Sequence, residues 1–418
     1  MSQHALSLSA CQEKALAVLR EQKGNVFLTG HAGTGKSFLI REFLKDKDRK
    51  QFPVLASTGT AAVLLSGRTF HSYFGLGIFE GGVQSTIERA LDNKRVVKRL
   101  REAQGFVLDE VSMISGPVLR AAEAIARLAR KIHAPWGGLR VVATGDFAQL
   151  PPVGATTSRR EWAFLDEVWT ASEFVMLPLH TAMRTKDPEY LRVLQDVRVG
   201  QLSEDVRCYL NRKLDPESAQ DEVAKATVLF PHRAPADQLN MSRLARLGTP
   251  LHEIQTQYTG EARALESLKK NAPIPELLQL KEGALVMIRI NDPSYKYVNG
   301  TLATVQKVGK LTLGLELKNG RGLELEKHSF SLQDADGNVL ASALNFPVSL
   351  AYATTIHKSQ GATLDHMICD LRRLWEPGQA YVALSRLRSG DGLALLGWEE
   401  SSIRTDPDVV AFYGLTDP

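Results

Sequence analysis

Apolar residues follow two rhythms along this chain. In the first part short unbroken runs, NVFLT (25–29), PVLAS (53–57), GFVLDE (105–110), LRVVATGD (139–146) and FVMLP (174–178), are separated by stretches with helical spacing such as Val118 to Lys131. Unbroken apolar runs suit strands buried on both faces, and their alternation with helices predicts an α/β fold: a parallel sheet with crossover helices. After about residue 240 the rhythm becomes period two, through ALVMIRIND and GTLATVQKVGKLTLGLELKNGRGLELEKHSF, punctuated by Asn299-Gly300, Asn319-Gly320 and Asp336-Gly337. Such pairs favour tight hairpins, so residues 243–342 read as a small β-barrel inserted into something larger. Buried-strand runs resume around Ala343 to Leu350, and the α/β texture continues toward the C-terminus. The predicted division is a first domain over 1–175, a second over 176–242 and 343–418, and the insert over 243–342.

The loop between the first run and the next helical stretch carries chemistry. GHAGTGKS (30–37) completes the spacing G-x-x-x-x-G-K-S between a strand and a helix. Gly30, Gly33 and Gly35, with Thr34 among them, let the backbone turn its N–H groups around a β-phosphate. Lys36 can reach the β- and γ-phosphates, and the Ser37 hydroxyl can hold Mg²⁺, so ATP and Mg²⁺ are the expected cofactors. The run GFVLDE ends in Asp109 and Glu110, placing two carboxylates at the edge where open α/β sheets bind ligands. Asp109 can join the Mg²⁺ shell and Glu110 can orient or deprotonate the attacking water. TGDFAQLPPV closes another strand with Asp146 and Gln149, an amide able to bond the γ-phosphate or that water. Arg184 in LHTAMRTKD and Arg386 in YVALSRLRSG are candidates for the positive charge that phosphoryl transfer needs.

Composition changes this picture little. The 418 residues are 44% hydrophobic and 23% charged, ordinary for a soluble chain of two or three domains. The net charge of +4 permits a polyanionic partner without demanding one. No apolar run approaches the roughly 18 residues of a membrane span, and the N-terminus lacks the pattern of a secretory signal, so a cytoplasmic protein without a membrane partner is expected. The segment ahead of Gln12 is too short for a mitochondrial leader, which favours a compact bacterial-type protein associated with the nucleoid. Cys11, Cys208 and Cys369 lie far apart and form no CxxC, so neither a disulfide framework nor a zinc or iron–sulfur site is indicated.

Taken together, LSACQEKAL, GHAGTGKS, STGTAAVLLSGRTFHS, LDEVSMIS, GDFAQLPPV, LHTAMR, ATTIHKSQGATLD and AYVALSRLRS occur in the order of the superfamily 1B DNA helicases. The chain most resembles the Pif-type branch, whose own signature is similar to Ser112–His133 and the WGGLRVVATGDFAQLPPV that follows. The resemblance implies two RecA-like motor domains with ATP between them and a barrel of SH3 type inserted in the second. It also implies a small wedge near 76–90 and 5′-to-3′ movement of a monomer on single-stranded DNA, with unwinding of forked duplex DNA. G-quadruplexes and RNA–DNA hybrids come with it as further substrates. By position, Gln12 would read the adenine edge. Gln149, Arg184 and Arg386 would sense the γ-phosphate, and Gln360 and Gly361 would lie where nucleotide and DNA contacts meet. DNA contacts fall on Thr58, Gly59 and Thr60, on the rings of His71 and Phe74, and on Thr355, His357 and Lys358. One departure stands out: many members carry Arg-Gln where this chain has Arg184-Thr185. Two other readings share parts of the pattern. One is a RecD-like or relaxase-like helicase of the same superfamily, which lacks the Ser112–His133 signature; the other is a P-loop ATPase acting on partners other than nucleic acid.

Overall fold

The computed structural model describes residues 8–57, 68–77, 82–152, 160–217, 226–292, 296–333 and 339–414. Among them no helix is long and apolar enough to cross a membrane. Thr58, Gly59 and Thr60, the Asp336-Gly337 pair and part of the expected wedge (78–81) lie outside the described residues. The chain forms two compact units. One comprises the chain up to Phe147 with Pro151–Met183; the other comprises Arg184–Leu332 and Val339–Pro418, together with Ala148–Leu150.

In the first unit six strands, β1 (Val26–Gly30), β2 (Val54–Ala56), β3 (Arg68–Thr69), β4 (Gly105–Asp109), β5 (Arg140–Gly145) and β6 (Val175–Leu179), form one sheet in the order β3-β2-β4-β5-β1-β6. Every pairing in it is parallel. All five residues of β1 are buried, as a central strand covered on both faces requires. Helix α1 (Ala10–Glu21) begins with a reciprocal cap between Ser9 and Gln12, and α2 (Lys36–Phe43) follows the phosphate loop. Leu19, Leu28, Leu39, Phe43 and Val142 pack these helices onto the sheet.

β6 departs from the sequence reading in two ways. The expected boundary at residue 175 falls where β6 begins, and because β6 pairs with β1 the first unit runs on to Met183. Expected to be buried, β6 lies at the sheet edge instead, with Val175 39% and Met176 42% exposed. An apolar run reports the strand but not its rank in the sheet.

The second unit holds a four-stranded parallel sheet in the order β18-β7-β19-β20, from β7 (Thr227–Phe230), β18 (Ala353–Thr355), β19 (Met367–Leu371) and β20 (Leu393–Trp398). Between β7 and β18 the chain makes antiparallel β-structure, in which β8 (His252–Gln255) pairs with β10 (Leu277–Leu280) and β15 (His328–Gln333) adds a further strand. Its larger sheet has the order β14-β13-β12-β11-β17, from β11 (Leu285–Ile288), β12 (Leu302–Val308), β13 (Thr312–Leu317), β14 (Gly322–Glu326) and β17 (Val348–Leu350). The Asn319-Gly320 hairpin joins β13 to β14 as its turn chemistry predicts, with the Gly320 N–H donating to the Leu317 carbonyl at 2.9 Å. The resumption of the α/β pattern at Ala343 is corrected. β16 (Val339–Asn345) pairs antiparallel with β9 (Gln257–Gly260), and β17 pairs antiparallel with β11 through Val286 and Leu350, so both strands belong to the insert. The parallel sheet resumes only at Ala353. The insert also contains a helix over Ala262–Asn271 that period-two reading passes over.

Candidate functional site

The phosphate loop leaves β1 at Gly30 and enters α2 at Lys36. Gly30, Gly33 and Gly35 have φ of 151°, 80° and 85°, conformations that suit glycine. At Gly35 a Cβ would also stand 2.4 Å from the Gln12 amide nitrogen. The Lys36 ammonium donates to the carbonyls of Gly30 at 2.7 Å and His31 at 3.1 Å, so the loop closes around its own cation. Thr34 is buried, and its hydroxyl donates to the His31 carbonyl at 2.9 Å. Ser37 is exposed at the start of α2. Gln12 does two jobs: its amide oxygen accepts from the Ser9 N–H at 3.0 Å, and its NH₂ donates to the Thr34 carbonyl at 3.0 Å. A primary amide has two donors and two lone pairs, so capacity for a base edge remains.

Asp109 ends β4 and Glu110 follows it in the left-handed region, at φ 53° and ψ 51°. That conformation costs a non-glycine residue about 1 kcal/mol or more and recurs at functional sites. The Glu110 N–H donates to the Asp109 carboxylate at 3.1 Å. Burial, and then the Glu110 charge, push the Asp109 carboxyl up to about 7, while Lys36 pulls the other way. A carboxylate held so high gains most from a second cation beside it. Ser37 and Asp109 offer the hard oxygen donors that Mg²⁺ takes. Among the described residues there is no group of three or more His, Cys, Asp or Glu side chains able to hold a metal. Mg²⁺ commonly takes one or two protein ligands and completes its shell with phosphate and water, so the donor set fits it.

In the second unit Arg184 and Arg386 meet around Ser385. The Arg184 guanidinium donates to the Ser385 carbonyl. Arg386 is 2% exposed; it donates to the Val382 carbonyl at 2.8 Å and to the Ser385 hydroxyl at 2.8 Å. Burial, and next the Arg386 charge, lower the Arg184 pKa to about 9. Two cations held this close disfavour each other's charge, a cost that an anion beside them would offset. The Thr185 hydroxyl accepts from the Asp187 N–H at 3.3 Å just ahead of the helix Pro188–Val199. Gln149 is buried.

Sequence reading passed over Gly378, at φ +76°. A Cβ there would stand 2.4 Å from the Gln149 carbonyl and 2.5 Å from that of Ala148. Gly378 therefore lets the backbone before the helix Gln379–Leu384 press against the one that carries Gln149. Gly361, at φ +80°, has nothing among the described residues within 4 Å of its Cβ position. Gly378→Ala should combine left-handed strain with a backbone clash and cost about 2–4 kcal/mol, against about 1 kcal/mol for Gly361→Ala. Thermal unfolding monitored on both variants checks the difference; equal midpoints would remove the contact's significance.

The expected DNA contacts divide. His71 is half-buried, and burial holds its pKa below the usual histidine value. Phe74 is corrected: it is fully buried, in ring contact with Phe70, Phe106 and Trp136, and no base can reach it there. Thr355 is also corrected, because its buried hydroxyl accepts from the Lys358 N–H at 3.2 Å and shapes the turn instead of facing outward. Lys358 is exposed and His357 half-buried. The Gln360 NH₂ is buried and has no hydrogen-bond partner among the described residues. Trp136 of WGG is a core residue whose indole N–H donates to Ser172 at 2.8 Å.

The chain is similar to known proteins along nearly its whole length. The family model for PIF1-like helicases matches residues 8–206. The ATP-dependent DNA helicase Pif1 of Bdellovibrio bacteriovorus is 51% identical over 413 residues, 99% of this chain and 93% of its own length. Among solved structures, Pif1 from Bacteroides sp in complex with ADP-AlF4 superposes with a TM-score of 0.86 at 26% identity, covering 98% of this chain and 97% of that one. Pif1 from Bacteroides bound to single-stranded DNA superposes with a TM-score of 0.67 at 26% identity, covering 98% of this chain and 97% of that one.

Proposed function

The chain belongs to the PIF1-like DNA helicases, and on that premise we propose how its residues divide the work of the motor. It is an ATP-dependent DNA helicase. The observation that carries the residue assignment is the sharing of one parallel sheet by the glycine loop closed on Lys36 and the acidic pair at the end of β4, with only β5 between their strands. In this reading Gly30, Gly33, Thr34 and Gly35 line the phosphates of ATP, and Lys36 moves from its loop carbonyls to the β- and γ-phosphates. Ser37 and Asp109 hold Mg²⁺, which when bound offsets charge on the phosphate oxygens. Glu110 takes the proton of the attacking water. Gln149, Arg184 and Arg386 meet the γ-phosphate, and Gln12 meets the adenine. His71, His357 and Lys358 touch the DNA strand.

The domain reading carried forward is a first RecA-like motor domain through Met183, a second built on the β18-β7-β19-β20 sheet, and an insert of SH3 type ending at Leu350. Its support is the strand pairing described above. The partner is single-stranded DNA leading into a fork, and movement is 5′ to 3′. Two measurements test this. ATPase activity should rise on adding single-stranded DNA of mixed sequence, and duplexes with a 5′ single-stranded tail should be unwound while those with a 3′ tail or none are not. Unwinding that requires a 3′ tail refutes the polarity.

A further inference from the structure

Three adjacent parallel strands of the second unit each release a ring just beyond their carboxyl ends. β18 ends at Thr355, two residues before His357; β7 ends at Phe230, two before His232; β19 ends at Leu371, four before Trp375. The carboxyl edge is where open α/β sheets present their ligand sites. The rings come together there: Trp375 stacks on His232 with centroids 4.5 Å apart and planes 10° apart, and lies parallel to His357 at 6.0 Å and 18°. Trp375 is 41% exposed, His232 is exposed and His357 half-buried, so this is not a core cluster. The backbone beneath the indole is pinned. The N–H groups of Trp375 and Glu376 donate to the buried Gln379 amide oxygen at 3.2 and 3.3 Å, and Arg404 donates to the Trp375 carbonyl at 2.6 Å.

Cations stand beside the rings. Arg233 follows His232 and Lys358 follows His357. Arg233 is exposed and paired with Asp237 at 3.0 Å, and burial, then the Arg233 charge, lower the Lys358 pKa while Asp237 pulls it back up. A flat, partly exposed indole parallel to two imidazoles, with the exposed Lys358 next in the chain to one of them, has the ring chemistry that stacks on nucleobases.

We propose that Trp375, backed by His232 and His357, is a base-stacking platform on which the second unit grips the single strand. The proposal rests on the helicase reading above and extends it to Trp375 and His232, which no motif marked. Every base has a π-face, so the platform accepts any sequence, as a motor that moves along mixed DNA requires.

The test compares two dye-labelled single strands of equal length, oligo-dT and a fully abasic strand, by fluorescence anisotropy on the full chain. Wild-type protein should bind oligo-dT more tightly than the abasic strand. Trp375→Ala should weaken oligo-dT binding about 5- to 150-fold and leave the abasic Kd unchanged, and Trp375→Phe should restore most of the loss. Unchanged oligo-dT binding by Trp375→Ala, or equal losses on the two strands, would overturn the platform, the second outcome marking a purely structural role. Wild-type protein that binds neither strand would overturn the helicase reading, and the platform with it.

Discussion

Lys36→Ala should abolish ATP turnover, and Glu110→Gln should stop turnover while leaving ATP binding in place. The two substitutions remove different things. Lys36 supplies charge from a loop already built around it, with its ammonium 2.7 Å from the Gly30 carbonyl, so replacing it empties the centre of the phosphate cradle. Fixed donors and charges of this type contribute about 10²–10³-fold each to rate, and loss of ground-state affinity adds to that here. Glu110→Gln keeps the shape, and loses the base and its negative charge. A positioned general base contributes about 10²–10⁴-fold. The substitution also relieves Asp109 of the like charge that, after burial, raises its carboxyl toward 7, so Mg²⁺ and nucleotide should bind at least as well as before. Steady-state ATPase with single-stranded DNA present, alongside binding of a fluorescent ATP analogue, separates the two outcomes. Near-normal stimulated ATPase in either variant would sink the site assignment.

Arg386→Ala should keep single-stranded DNA binding while losing ATPase and unwinding together, by about the 10³–10⁵-fold that an arginine finger is worth. Arg386 is buried beside Arg184, and both are anchored at Ser385, one on its carbonyl and the other on its hydroxyl. Like charges gathered in that way are stabilised by an anion, and the developing charge on a transferring phosphoryl group is the anion this motor makes. Alanine also deletes the bond to the Val382 carbonyl, so Arg386→Lys is the companion variant. Lysine retains the charge without the planar fork. It should recover part of the ATPase if charge is the contribution, and none if only the buried bonds matter. ATPase, unwinding of a 5′-tailed fork and strand binding are read on one preparation. An Arg386→Ala protein that hydrolyses ATP at the wild-type rate would refute the role.

Much of the fold was legible because local chemistry and tertiary demand coincided there. The runs at β1, β4 and β5 are mostly apolar since both sheet faces are covered, and the Asn319-Gly320 turn has the backbone that its hairpin needs. Legibility failed where the same pattern serves two outcomes. FVMLP reads the same at an edge as in the centre, and its position beside β1 alone left Val175 and Met176 exposed. The segment over 343–350 alternates acceptably for either neighbour, and pairing with β9 and β11 assigned it to the insert. Phe74 sits in a motif full of candidate contacts, yet its ring completes the aromatic cluster with Phe106 and Trp136.

The sequence by itself determined the glycine-rich loop over 30–37 and the acidic strand end, because each is made within a few consecutive residues whose types dictate the backbone. Gly30 to Ser37 would cradle a phosphate on any strand-to-helix turn, and Asp109-Glu110 would follow any buried strand of that composition. Only the tertiary structure decided the groups assembled from distant segments: Arg184 against Ser385, 201 residues away, and the stack of His232, Trp375 and His357 drawn from three strands. Periodicity states which face of an element is buried and is silent on what buries it. Strand order, settled by packing of the whole sheet, brings those rings and cations to one edge.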